Sequence, residues 1–289
     1  MSDIEVPNID FDTETSLTEG PEHDDFAGTA GNDLYIGAVN GFTTLNPADF
    51  IRGGSGGEDM LSVTFTGTNP SAVGFLTEDI DVFQIRNFVS GTADMNMIDV
   101  TGTNTLWFDN NTGDSQFDFV QNVMDVVVTG GLTDVDINYV ASVAAGANQD
   151  QEILVDGTGV PGEDATYIDI AGGVQNLWLV ANGAASNVDI DSAATNVMVM
   201  GDAASLELDL DQYDGDYVAT FDSTGFGGHV TVDAEIGNDV GIATFTTGNR
   251  MDTLDLDGDG ASDAVVNTGK AADTVYVDAL DSLELRLGG

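Results

Sequence analysis

The sequence predicts an all-β protein, a right-handed parallel β-solenoid, with a β-sandwich-like packing as the alternative for its N-terminal part. Three observations lead there. Short runs of alternating apolar and polar residues, rich in β-branched side chains, fill the chain between Gly, Asn and Asp, and no helical period of any length interrupts them. Two different motifs recur together at one fixed interval between positions 167 and 219. A glycine, a short run and an aspartate then recur three times between Gly248 and Val277. Fixed periods of this kind are what a coil of stacked rungs produces.

Charge bounds the function before any motif does. The 289 residues carry 51 acidic and five basic side chains, a formal charge of −46, and such a surface repels nucleic acid and anionic membrane while attracting cations. The acids are 40 Asp and 11 Glu, many of the aspartates beside Gly or Asn. Short carboxylates at bends are what hard cations use, so Ca2+ is the expected cofactor, ahead of simple adaptation to salt. Absence of cysteine excludes disulfides and thiolate metal sites. His23 and His229 are isolated and are expected at the surface. No apolar run approaches the roughly 20 residues that span a bilayer, so membrane insertion is not expected, and the acidic start Met1-Ser-Asp-Ile-Glu does not read as a secretory leader.

Taken in order, residues 1–27 alternate apolar and polar side chains (Ile4, Val6, Ile9, Phe11) around Pro7 and then turn acidic near Pro21. They are expected to form an extension, either a flexible leader or a strand that pairs with another subunit's sheet edge. Residues 28–100 form the next expected module. It contains Gly28-Thr29-Ala30-Gly31-Asn32-Asp33-Leu34-Tyr35-Ile36 and Gly54-Ser55-Gly56-Gly57-Glu58-Asp59-Met60-Leu61-Ser62. Both follow the nonapeptide G-G-x-G-x-D-x-U-x, with a hydroxyl residue replacing the second glycine.

On these residues the chain resembles the RTX-type calcium-binding repeat proteins, in particular bacterial surface-layer and adhesin proteins exported by type I secretion. The resemblance implies calcium held by Asp33 and Asp59 with carbonyls of the bends, Gly31 and Gly57 allowing the turn, and export without an N-terminal leader. The two copies, which begin at Gly28 and Gly54, are set apart rather than in tandem, and this predicts irregular sites.

Alternating runs over 61–165 fit either the solenoid or a sandwich, and Val140–Ala147 is the one place where a helical turn fits. Residues 101–289 are expected to form the main coil, with acidic, calcium-binding turns. In it Tyr167-Ile168-Asp169-Ile170, Asn187-Val188-Asp189-Ile190 and Glu207-Leu208-Asp209-Leu210 share one step with Asn176-Leu177-Trp178-Leu179 and Asn196-Val197-Met198-Val199, a step that continues to Asp216. One period per turn places Ile168 and Ile170 inside and stacks Asp169, Asp189 and Asp209 in one outward column. At a rung height of roughly 4.8 Å, neighbouring carboxylates repel by about 0.9 kcal/mol in water. Such a column either faces bulk water or holds cations. The column of Asn176, Asn196 and Asp216 reads as a structural ladder of amides, and Trp107 and Trp178, in alternating apolar runs, are expected in the core.

The last repeats place Asp252, Asp263 and Asp273 at short and nearly equal steps, which predicts one carboxylate edge. Their middle copy, Asp255-x-Asp257-x-Asp259-Gly260-x-x-Asp263, offers oxygen donors at positions one, three, five and nine of a calcium loop. Val266 stands where the twelfth-position glutamate belongs, so no complete helix-loop-helix hand is expected.

Together these features lead to the expectation of a secreted, calcium-binding structural protein whose partner is itself, in a surface layer or filament outside the cell. An adhesin or biofilm-matrix module that holds cell-surface polysaccharide is the alternative. A polysaccharide-active β-helix enzyme ranks last: lyases need a cationic group, the five available are scattered, and nothing singles out a carboxylate pair.

Overall fold

The computed structural model describes residues 4–20, 23–39, 43–89, 91–146, 149–212, 217–237 and 242–288, with the side chains at 171, 211, 212 and 259–261 left out of the description. Strand accounts for 56% of the described residues and helix for 2%, so the all-β expectation holds. Among the described residues the one α-helix is Ala141–Ala144, inside the stretch where a helical turn was expected. None is long and apolar enough to cross a membrane. The chain divides into two compact units, Glu5–Val143 and Ala144–Gly289, and each is a parallel β-solenoid.

In the first unit, Thr13–Ser16, Asp33–Val39, Met60–Phe65, Val82–Asn87, Thr105–Asp109 and Asp125–Thr129 stack in parallel, one rung on the next. A second stack comprises Ser71–Ala72, Ala93–Asn96, Ser115–Val120 and Asp134–Tyr139, and a third comprises Asp25–Ala27, Phe50–Arg52 and Leu76–Glu78. The sandwich-like alternative is therefore overturned: every strand pair named here is parallel, whereas hairpin-linked sandwich strands pair antiparallel. Alternation looks the same in both packings, so the sequence left them unresolved.

The N-terminal stretch also differs from expectation. Thr13–Ser16 and Asp25–Ala27 are rungs of the coil, paired with Asp33–Ile36 and Phe50–Arg52 of the same chain. Before them, Pro7, Ile9 and Phe11 line a cleft with Leu34, Ile36, Met60 and Trp107 on the sheet's outer face. The alternating apolar residues thus cover apolar surface within the unit, which offsets the entropy of ordering them.

In the second unit two stacks suffice. One runs through Gln149–Asp156, Val174–Ala181, Asn196–Gly201, Thr220–Phe226 and Ile242–Thr246. The other runs through Thr166–Ala171, Ser186–Ser192, Ser205–Gln212 and His229–Ile236. The long strands Thr253–Asn267 and Thr274–Arg286 bend across both. Inward columns are aliphatic and aromatic: Ile168, Ile170, Val188 and Ile190 are wholly buried, and Phe221 stacks on Phe245 with centroids 5.9 Å apart. Full burial of each such side chain contributes about 1.5–3 kcal/mol, and the parallel register adds it at every rung.

Candidate functional site

The register of the second unit decides which carboxylates meet. Asp189 pairs with Asp209, Asp209 with Asp233 and Asp233 with Asp255. Four aspartates on four successive rungs form one outward column, with Tyr167 beside Asp189 at one end and Tyr276 beside Asp255 at the other. Glu163 and Glu207 complete the rim of the same groove, and no described residue lining it is basic. The loop on the Glu163 side is tied down: Gly162 N–H donates to Glu207 Oε2 at 2.6 Å and Asn187 Nδ2 donates to the Val160 carbonyl at 3.2 Å.

Asp169 is not in this column. It pairs with Asp191 rather than Asp189, in a second column alongside the first. This turn is longer than the motif step by a pair of residues, and the extra pair is taken up at the bend of Gly172 and Gly173, both with positive φ (66° and 87°). A shift of two leaves each residue on its own face, so Ile168 and Ile170 remain inside as expected. Tyr167 joins the two columns, its hydroxyl donating to Asp191 Oδ2 at 3.2 Å. Burial, and then the carboxylates of Asp191, Asp169 and Asp189, hold its phenol far above the usual range.

The last repeats fold differently from a calcium loop. Asp255 and Asp257 lie in the extended strand Thr253–Asn267, paired with Asp233 and Glu235, and the side chain of Asp259 lies outside the described residues. The short steps between the repeated aspartates are half-turns. Asp252 and Asp273 therefore stack, the Asp252 N–H donating to Asp273 Oδ1 at 3.0 Å, while Asp263 sits on the other stack opposite Ile242 and Ser282. The expected single edge of Asp252, Asp263 and Asp273 is split across the coil, and Asp255 joins the ladder instead.

Asp33, which opens its strand, and Asp59, immediately before Met60–Phe65, are the residues of the nonapeptides and are buried (1% and 2% exposed). Each carboxylate here reaches toward a neighbouring rung. Asp33 N–H donates to Asp59 Oδ1 at 2.8 Å and Asp59 N–H to Asp81 Oδ2 at 2.9 Å. The same staple joins Asp24 N–H to Asp49 and Val230 N–H to Asp252. Sequence reasoning missed this role, since a carboxylate that caps a backbone N–H and one that binds an ion use the same short side chain at the same bend. Glycine marks both: a Cβ on Gly28 would collide with the Gly53 carbonyl, and one on Gly53 with the Asp79 carbonyl and Asp59 Oδ2. Beside this bend Asp59, Asp79 and Asp81 line a cleft with Gly54–Gly57.

The staples titrate in opposite senses. Burial raises Asp59 to about 6, with the charges of Asp33, Asp81 and Asp79 adding to it, and burial likewise raises Asp49 and Asp252. At Asp33 burial acts upward too, but donation from the Thr13 hydroxyl and from Thr29 outweighs it and the carboxyl lies below its ordinary value. A carboxyl raised on folding binds more protons folded than unfolded, so its contribution falls as pH rises from about 4 through about 6; Asp33 contributes above its unfolded value and is lost below it. The metal-free chain is thus expected to be more stable at pH 5 than at pH 7.5, by about 1 kcal/mol from Asp59 alone, and to weaken again below about pH 3.5. Denaturant midpoints at fixed ionic strength with chelator check this, and a midpoint that rises from pH 5 to 7.5 contradicts it.

The donors in the groove, the cleft and the bends are all oxygen, which fits Ca2+ and not a soft metal. Among the described residues no three Asp, Glu, His or Cys side chains form a ready ligand group. The ladder instead offers carboxylates in pairs, rung by rung. The Asn176 and Asn196 column is the expected amide ladder: Asn196 Nδ2 donates to Asn176 Oδ1 at 2.9 Å, and Asn176 Nδ2 to Asp150 Oδ1 at 2.7 Å. It continues to Thr220, and Asp216 lies outside the described residues. Trp107 and Trp178 are both half-buried on outer faces rather than in the core, because each alternates with inward neighbours, Leu106 and Phe108, Leu177 and Leu179. Comparison with protein-family models, with curated proteins and with solved structures returned no match.

Proposed function

We propose that this chain is a secreted structural protein, a solenoid loaded with Ca2+ outside the cell that assembles with copies of itself into a surface layer or filament. The observation that carries the proposal is the in-register column Asp189–Asp209–Asp233–Asp255. Three neighbouring pairs of like charge one rung apart oppose the fold that makes them adjacent, and a divalent cation between rungs converts that repulsion into cohesion. Sites of Kd about 10⁻⁴–10⁻³ M fill in extracellular calcium and stay empty inside a cell, which reserves the added stability for the exported protein.

Assembly is supported by the strand Thr274–Arg286. It pairs with Thr253–Asn267 on one side, and Tyr276, Val277, Leu283 and Leu285 on it are between 38% and 58% exposed. Stacking a rung of another copy there covers these side chains. Particle size, followed by light scattering as calcium is added and then chelated, tests the proposal with magnesium as control. Reversible growth with calcium alone is expected. A particle that stays compact and single in both ions would sink the assembly reading.

A further inference from the structure

A second face of the same unit carries a different chemistry. Along the stack that contains Trp178, outward residues form the column Glu152–Trp178–Met198–Asp222, and beside it runs the column Asp150–Asn176–Asn196–Thr220. Together they bound a groove of about 330 Å³, of the size that holds a small ligand. Its floor is the indole and the thioether. One side is a rail of amides already fixed by hydrogen bonds to one another and to Asp150, so it costs little ordering when a ligand arrives.

We propose that this groove binds an extended chain of neutral pyranose sugars, with Trp178 as the stacking platform and the rail of Asn176 and Asn196 as the partner of the ring hydroxyls. A pyranose has an apolar face of C–H groups that suits an indole, and hydroxyls around its edge that suit an amide or carboxylate. One sugar spans about the height of one rung, roughly 4.8 Å, so successive rings meet successive amides. An apolar peptide in this place would strip water from the Asp150 and Asp222 carboxylates and bring them no donor of its own. Sugars that carry carboxylates would meet those two acids and the net charge of −46.

The test is isothermal titration calorimetry of the full chain with cellohexaose and with the hexamer of N-acetylglucosamine, in chelator so that the result is independent of calcium, and with oligogalacturonate as the anionic control. Saturable binding of at least one neutral hexamer is expected. It should weaken at least tenfold in Trp178→Ala and several-fold in Asn196→Ala, and stay unchanged in Trp107→Phe. Should Trp178→Ala fail to fold, Met198→Lys in the Trp107→Phe background blocks the groove and leaves Trp178 emission as the readout, and the saturable emission shift should vanish. No binding of either neutral hexamer, equal binding by Trp178→Ala, or binding of oligogalacturonate as tight as that of the neutral chains would each overturn the proposal.

Discussion

Replacing Gly53 by alanine should destabilise the first unit by about 3 kcal/mol, among the largest losses any single methyl can cause in this chain. The added Cβ collides with the Asp79 carbonyl and with Asp59 Oδ2, and the backbone cannot retreat, because Gly53 N–H is bonded to the Glu78 carbonyl at 2.9 Å and Gly28 N–H to the Arg52 carbonyl at 2.8 Å. Opening the bend also pulls Asp59 from the Asp33 N–H that it caps. Gly56→Ala in the same loop is the control. A Cβ there meets only the Ala30 carbonyl oxygen, at 3.6 Å, so its midpoint should move by no more than about 0.5 kcal/mol. Equal losses in urea unfolding for the two variants would contradict the close stacking of bends.

The double variant Asp209→Asn, Asp233→Asn should melt higher than the parent when calcium is chelated and salt is low. The two changes keep the side-chain shape and remove all three neighbouring charge pairs of the ladder. At about 0.9 kcal/mol per pair in water the gain is about 3 kcal/mol, or roughly 5–10 °C for a unit of this size, and it should shrink as salt is added. Changing Asp263 and Asp273 instead removes no pair of this column and should give no comparable gain.

Much of the coil was legible in the sequence. The inward and outward parity of Ile168, Asp169 and Ile170 and the stacking of Asn176 on Asn196 follow from period and alternation alone, since parity survives any even shift. Register does not. The additional pair of residues near Gly172 moves Asp169 to another column, and the fixed motif spacing gives no sign of it because both motifs keep their step. Asp233 and Asp255 were missed as ladder members for the same reason: the turns from Asp209 to Asp233 and from Asp233 to Asp255 are each longer than the one from Asp189 to Asp209, so no fixed period links them. The repeats of Gly248–Val277 were visible, but their half-turn length was not, and a donor pattern suited to a loop lies within a strand. Asp33 and Asp59 were found by motif, while the backbone N–H groups that Asp59 and Asp81 cap belong to the preceding rung, more than 20 residues away in sequence and beyond the reach of a local pattern.

Calcium's effect on melting, measured side by side on the parent and on Asp209→Asn, Asp233→Asn, tests most directly whether cations hold the ladder. Ligand at a hundred times its Kd stabilises a site by about 2.7 kcal/mol. The parent should therefore melt several degrees higher with calcium than with chelator, with magnesium far less effective because it gives up its water reluctantly and demands a tighter shell. The variant should start higher and gain less. A parent that melts alike with and without calcium, or a variant that gains as much as the parent, would contradict the cation-held ladder.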